Sequence, residues 1–347
     1  TTICPNTLTF DELYGTQNLE TRIFKPGIIE SIFDNKNSNN NNNIRKEEWI
    51  VFDGQIKPNW IENLNTVLDD NKVLSLANTK TIKMSPFLHV FFEVPDLAEA
   101  SPATLTRSSI IYFETSQLGW QPLLITQCQK NVYPLFLNNQ NFIEKFNDLT
   151  NVSISQAVEF LSENESHLPS STLSYIDSLV NIFITLMNGQ ELSEKDGTHI
   201  ITALYVFAFI WSFGGHLEEN KRALFDSFIR DIFSGHLTLP NKGLVYDWKV
   251  DPAKGEWLHW SEYMPKFVTI APENFEVDPL ASASIFCHTI ETYRISYILK
   301  LLLKSNTNVV LSGHSGSGKT TVVNRLMKEM EDEDNEFGHF SLEFSSK

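Results

Sequence analysis

The sequence predicts an α/β fold that carries a helical subdomain, followed by the opening of a second α/β core. Three observations predict it. Trp49-Ile50-Val51-Phe52 runs into Asp53-Gly54, the pattern of a buried parallel strand that delivers a carboxylate to its C-terminal edge. The stretches Tyr175–Leu186, Ile200–Ile210 and Lys221–Phe233 carry helical apolar spacing with no strand between them. Near the end, the apolar run Asn308-Val309-Val310-Leu311 meets a glycine-rich turn and then a helix-like segment, Thr321–Met327.

The turn is Gly313-His314-Ser315-Gly316-Ser317-Gly318-Lys319-Thr320, which fits G-x-x-x-x-G-K-[ST] at every fixed position. Strand, glycine turn and helix in that order form a phosphate-binding loop. Its glycines let backbone N–H groups close around a polyphosphate, Lys319 reaches the outer phosphates, and the Thr320 hydroxyl is placed for Mg²⁺. The helix N-terminus adds a favourable dipole. The nucleotide-binding set is therefore Gly313, Ser315, Gly316, Ser317, Gly318, Lys319, Thr320 and Thr321. Only Thr321–Lys347 follows the loop. A P-loop domain needs several more parallel strands, so the chain is expected to stop inside a nucleotide-binding domain and to be part of something larger. The absence of an initiator Met fits that expectation.

Length allows two or three domains, and 41% hydrophobic residues with 25 Phe are ample for packed cores. The 27 basic and 43 acidic side chains leave a net charge of −16, which argues against nucleic acid or an anionic membrane as the main partner. Cys4, Cys128 and Cys287 are scattered and form no C-x-x-C, as expected for reduced thiols in a cytosolic protein. Thr1 opens no signal peptide, and no apolar run approaching 18 residues is read, so no membrane span is expected. His167, His199 and His216 are too dispersed to suggest a metal site.

In chain order, Leu13-Tyr14-Gly15 reads as a turn and Pro26–Phe33 as the opening of a short helix. Asn35–Asn43 is nearly pure Asn and reads as a solvated inserted loop. Trp60, Ile61, Leu64, Val67 and Leu68 have helical spacing, Asp69–Lys72 ends that helix, and Val73–Leu76 resumes extended structure. Leu88–Val94 and Ile110–Phe113 read as strands. Gly214-Gly215 ends a helix. Between Leu239 and Phe267, Trp248, Trp257 and Trp260 could form a ligand platform but read better as pins that hold a connector on neighbouring surfaces. Thr292–Leu303 is a helix, Glu329–Glu336 an acidic helix end or loop, and Phe340–Phe344 the start of a strand.

Several of these segments resemble dynein heavy chains. Trp49–Lys72 is similar to that family's W-I-h-h-D-G followed by W-I-E-x-h-N-T-h-h-D-D-N-K, in its second AAA+ module. Phe92-Glu93-Val94 and Ala100–Arg107 resemble F-E-h-x-D-L and A-S-P-A-T-h-S-R, with Thr106 where the family usually has Ser. Leu118–Pro122 resembles the start of the small subdomain, Trp211–Gly215 a helix end in it, and Lys242–Trp248 the connection into the third module. His288–Arg294 resembles the stretch before the third module's P-loop, in the form H-T-x-E-T-x-R of the axonemal branch.

The resemblance implies an AAA+ P-loop NTPase with an αβα core and a helical lid. It places the second module's large subdomain at 1–120, its small subdomain at 121–238, a connector at 239–285 and the start of the third module at 286–347. It implies that Asp53 is a Walker B carboxylate that helps to hold Mg²⁺. Gly54 stands where AAA+ proteins carry the Glu that activates water, so that site would hold ATP without hydrolysing it. Asp53 needs a P-loop on a neighbouring strand that is N-terminal to it, and none lies between Thr1 and Asp53. Arg107 is an arginine finger acting in trans on the preceding module's nucleotide or, from its residues alone, a solvated strand-end Arg. Glu93 is a sensor position or a simple strand-end carboxylate. Thr289, Glu291 and Arg294 lie near the adenine or near a neighbouring subdomain.

The resemblance further implies ATP or ADP as ligand and, as partners, the neighbouring AAA+ modules, dynein intermediate and light chains, and microtubules reached through a stalk that this sequence does not contain. It implies a place in the cytoplasm on the cytoskeleton, with the ciliary axoneme favoured, and minus-end-directed movement as the output. The alternative is a module of another multi-AAA+ remodelling ATPase of the midasin type, acting as a nucleotide-gated structural element.

Overall fold

The computed structural model describes residues 1–18, 20–40, 47–76, 78–137, 139–164, 171–190, 192–264, 288–333 and 338–342. It divides into two units, Thr1–Phe113 and Glu114–Lys347.

The first unit is built on a parallel three-stranded sheet. Strand β1 (Thr2–Ile3) pairs with β4 (Glu48–Asp53), and β4 pairs with β7 (Leu88–Glu93). Between β1 and β4 lie helix α1 (Phe10–Tyr14), the antiparallel pair β2 (Gly15–Gln17) and β3 (Phe24–Pro26), and helix α2 (Ile28–Asn40). Thr9 starts α1 with a reciprocal capping box to Glu12. Leu13-Tyr14 therefore closes a helix, and the turn expected there falls on Gly15 alone, at φ +92°. Helix α2 extends to Asn40, deeper into the Asn run than the solvated loop read from composition.

β4 alternates. Ile50 and Phe52 are fully buried against Ile29 and Phe33 of α2, with Trp60 and Ile61 in the same core. Trp49 points the other way and stacks on Phe91, with ring centroids 4.4 Å apart. After β4 the chain forms short helices α3 (Pro58–Ile61) and α4 (Asn65–Leu68), joined by a 3₁₀ turn. An antiparallel hairpin follows, β5 (Val73–Ser75) with β6 (Thr81–Lys83), and β7 leads to α5 (Pro102–Thr106). Ile110–Phe113, expected as a strand, makes no ladder and is exposed, with Phe113 at 88%. A strand exists only through its partner, and none lies beside this stretch among the described residues.

The second unit is mostly a helical lid. Helices α6 (Thr115–Leu118) and α7 (Gln121–Gln127) precede a π turn at Cys128–Val132. Helices α8 (Gln140–Glu163), α9 (Thr172–Met187), α10 (Gly197–Gly214) and α11 (Glu219–Ile232) form the bundle. α10 is its axis. It is apolar over 18 residues, long enough by composition to pass for a membrane span, which corrects the reading that no such run exists. Its burial on all sides within the lid accounts for that apolarity. One polar pair sits in this core, with Ser153 and Tyr205 hydroxyls 2.8 Å apart.

The connector forms an antiparallel pair, β8 (Trp248–Val250) and β9 (Trp257–His259). Helix α12 (Ile290–Lys304) then leads to the glycine turn and α13 (Lys319–Glu333). α12 and α13 pack through Leu299, Val322 and Leu326, with Val309 beside them. Asn308–Leu311, expected as the strand before the turn, forms no ladder, and Val310 is 91% exposed. Residues 340–342 are likewise without ladder pairing, and the rest of that expected strand lies outside the described residues. Both stretches have β-type sequences and lack a pairing partner among the described residues.

Candidate functional site

The glycine turn folds as a cradle at the N-terminus of α13. Gly316 and Gly318 sit at φ +80° and +85°. A Cβ at either would meet nothing within 4 Å, so backbone conformation rather than space calls for glycine. Lys319 is the first residue of α13, and its ammonium folds back into the cradle. It donates to the carbonyls of Gly313 and His314, each at 2.7 Å, and to Ser317 Oγ at 3.2 Å. Ser317 N–H donates to the His314 carbonyl at 3.3 Å, and the Val322 N–H to Gly318 at 3.0 Å starts the helix. Thr320 and Thr321 are exposed on the first turn, and among the described residues the Thr320 hydroxyl has no hydrogen-bond partner. A cation held by carbonyls at a helix N-terminus, beside a free hydroxyl, is the donor set a polyphosphate with its divalent ion would engage.

The other expected site residues lie in the first unit. Asp53 and Glu93 are register partners at the C-terminal ends of β4 and β7. Both are exposed, and neither carboxylate has a hydrogen-bond or ion-pair partner among the described residues. Gly54 follows at φ +150°, with its N–H bonded to the Glu93 carbonyl at 3.0 Å. A Cβ there would come within 3.0 Å of the Asn6 side-chain amide. β4 has both neighbours filled, by β1 and β7. Among the described residues no phosphate loop adjoins β4 on a neighbouring strand, where the sequence expectation put one for Asp53.

Arg107 caps the C-terminus of α5 and does not end a strand. Ser101 is the N-cap and Pro102 the first helical residue, a start signal legible in Ser-Pro-Ala-Thr. The guanidinium is engaged: Nε donates to Asp69, and Nη1 to the Ala103 carbonyl at 2.8 Å. Thr104 Oγ1 donates to Asn65 Oδ1 at 3.2 Å. The two sequence segments Trp60–Lys72 and Ala100–Arg107 are thus bolted together by Thr104–Asn65 and Arg107–Asp69. Sequence reading missed Asp69 as the partner of Arg107; the acidic pair Asp69-Asp70 was its only trace. Thr106 bonds back to the Ala103 carbonyl at 3.1 Å, which a Ser hydroxyl would do equally well.

Arg294, expected near the adenine or a neighbouring subdomain, is placed against the subdomain. It is 5% exposed. Nη1 donates to the Tyr246 carbonyl at 3.0 Å and lies 3.6 Å from Asp247 Oδ1, while Nη2 donates to Glu291. Burial, with a lesser push from Arg222, pulls its pKa down to about 10, and it stays charged at neutral pH. Trp260 is buried and donates to the Tyr246 carbonyl at 2.9 Å, and Trp248 donates to Lys242 at 2.8 Å. These two tryptophans pin the connector. Gly214 is required by close approach, since a Cβ there would lie 2.3 Å from the Tyr246 hydroxyl. His216 stacks on Tyr175 and meets its hydroxyl at 3.0 Å; His167 and Cys287 lie outside the described residues.

The lid and the glycine turn both match known families. A model of the dynein heavy chain AAA lid domain matches residues 146–262. A model of the P-loop containing dynein motor region matches residues 276–347. The chain belongs to the dynein heavy-chain family. Dynein axonemal heavy chain 2 of Homo sapiens is 31% identical over 335 residues, which cover 94% of this chain and 7% of that protein. The ciliary dynein beta chain of Tripneustes gratilla is 32% identical over 327 residues, 92% of this chain and 7% of its own length. Dynein axonemal heavy chain 12 of Mus musculus is 30% identical over 367 residues, covering 100% of this chain and 11% of that dynein. The chain thus spans a small part of these dynein heavy chains. The parallel sheet and the helical lid are AAA+ architecture, and the stretch matched by the P-loop containing motor family includes the cradle at Gly313–Thr320.

Proposed function

We propose that this chain is part of the ATP-driven motor ring of a dynein heavy chain, in which nucleotide binding and hydrolysis drive minus-end-directed movement along microtubules. The observation that carries this reading is the Lys319 ammonium held inside the glycine cradle at the head of α13, next to the unbonded Thr320 hydroxyl. Lys319 would exchange its carbonyl partners for the outer phosphates of ATP, and Gly313–Thr321 would wrap the polyphosphate with backbone N–H groups. Thr320 would hold Mg²⁺, which neutralises phosphate charge when bound. Asp53 would serve the Mg²⁺ of the second module. With Gly54 at φ +150° and the Asn6 amide against it, no side chain there can polarise water, so that site would hold ATP without turnover.

Arg107 would act in trans on the nucleotide of the preceding module, leaving Asp69 to do so. The expected subdomain limits, 1–120, 121–238, 239–285 and 286–347, belong to this proposal. So do dynein intermediate and light chains as partners and the axonemal cytoskeleton as location. The names of the relatives and the dynein descriptions of both matched families favour this reading over the midasin-type alternative. Steady-state ATPase assays of the chain by itself test it. Turnover near zero is expected, and robust turnover that disappears in Lys319→Ala would overturn the assignment.

A further inference from the structure

Arg294 and five residues around it come from four separate stretches of the chain. Arg294 and Glu291 lie on α12, and Tyr246 and Asp247 on the connector. Trp211 lies on α10, with the guanidinium 5.7 Å from its ring centroid. Arg222 lies on α11; it reaches Glu291 at 3.6 Å and covers the Tyr246 ring at 5.2 Å. The Tyr246 hydroxyl donates to the Gly214 carbonyl at 3.0 Å, which closes the cluster on the C-terminal end of α10. The start of α12 is itself fixed, by a Thr289 cap on Thr292.

The same helix holds the P-loop helix. Leu299, five positions after Arg294 and so about 7.5 Å along the axis, packs on Val322 and Leu326 of α13. α12 is therefore held along its length: Arg294 forks into the lid and connector, Leu301 enters the lid core with Ile298 and Leu302 beside it, and Leu299 is set against the helix that carries Lys319. Aromatic contacts of Tyr293 and Tyr297 with Trp260, at 6.0 and 5.3 Å, also hold α12. Such ring contacts tolerate sliding. A planar fork whose two terminal nitrogens meet a carbonyl and two carboxylates, with its face toward a ring, does not, because each of those donors has one direction.

We propose that Arg294 is a positioning residue that locks α12 and the P-loop helix α13 to the lid in one register, so that they open as a single cooperative unit. It acts through α12, and it rests on the P-loop reading only in naming what α13 carries.

Hydrogen exchange of the whole chain without nucleotide tests this, in wild type and in Arg294→Lys and Arg294→Met. Lys keeps the charge without the fork, and Met keeps most of the volume without either, so the two variants remove different parts of the interaction. In wild type the slowest amides of α12 are expected to exchange in step with those of α10. In both variants α12 and α13 are expected to exchange about 100-fold faster while α10 is unchanged. Unchanged rates in α12 and α13, or equal loss of protection in α10, would overturn the proposal. Lys319→Ala is expected to change exchange only at the start of α13 and to leave α12 in step with α10, so a failure of the nucleotide reading would not imitate a failure of this one.

Discussion

Replacing Asp226 by Ala removes the anchor of the connector. Asp226 is 8% exposed on α11. Its Oδ1 accepts from the Val245 N–H at 2.6 Å and from Arg230 Nη2 at 3.2 Å, and its Oδ2 from Arg230 Nε at 2.8 Å. Arg230 in turn donates to the carbonyls of Pro240 and Gly243, at 2.7 and 3.2 Å. One carboxylate thus fastens 240–245 to the lid. In Asp226→Ala the buried Val245 N–H loses its acceptor, at a cost of about 1–3 kcal/mol. Arg230 loses its charge partner, and its partial exposure reduces that loss to about 1–2 kcal/mol. The two share one group, so about 3 kcal/mol in total is expected. For a unit of this size that lowers the lid melting temperature by roughly 6–12 °C. Asp226→Asn keeps an acceptor for Val245 and should lose about half as much. The assay is thermal unfolding read at lid amides, together with hydrogen exchange at Leu244–Asp247. A loss below about 1 kcal/mol in Asp226→Ala, or equal damage from Ala and Asn, would refute the reasoning.

Gly214→Ala places a methyl group against the Tyr246 hydroxyl and Phe225, both in the lid core, and should cost about 1–3 kcal/mol in lid melts; Gly235→Ala, with nothing within 4 Å, is the matched control. His216 has its pKa lowered by burial first and by Lys221 second. Its unfolded form therefore binds protons more readily, and lid stability should fall as pH drops below about 6.5 and stop falling below the folded-state pKa. Urea melts of wild type and His216→Phe across that range should diverge at the acid end only. Arg107→Ala in the full-length heavy chain should lower ATPase by about 10³-fold if the finger reading holds, while Arg107→Lys should rescue little of it.

Much of the architecture was legible because apolar spacing reports burial directly. Trp49–Asp53, Leu88–Glu93 and the helices around Ile182, Val206 and Phe225 stand where their periodicity puts them. α8, the longest helix, was not read, because its apolar face at Phe142, Phe146, Leu149 and Ile154 is interrupted by Asn, Ser and Thr. Ile110–Phe113 and Asn308–Leu311 were read as strands from composition, which reports β preference and is blind to whether a ladder partner is present. The glycine turn and the helix after it were legible in the sequence, since Gly316 and Gly318 take the positive φ that marks such a turn and Lys319 opens the helix. The engagement of Arg107 with Asp69 was not, because a contact across 38 residues leaves no local pattern. Gly214 and Asp226 were visible as residues, but their reasons lie in the approach of Tyr246 and Val245 from the connector.

Microtubule gliding by the full-length heavy chain, with Lys319→Ala compared against wild type, tests the central claim most directly. The account predicts minus-end-directed gliding in wild type and a fall of about tenfold or more in the variant, because on this proposal the ammonium in the cradle would meet the outer phosphates. Equal velocities, with the variant shown to be folded, would contradict the assignment of this P-loop to a working nucleotide site of the motor ring.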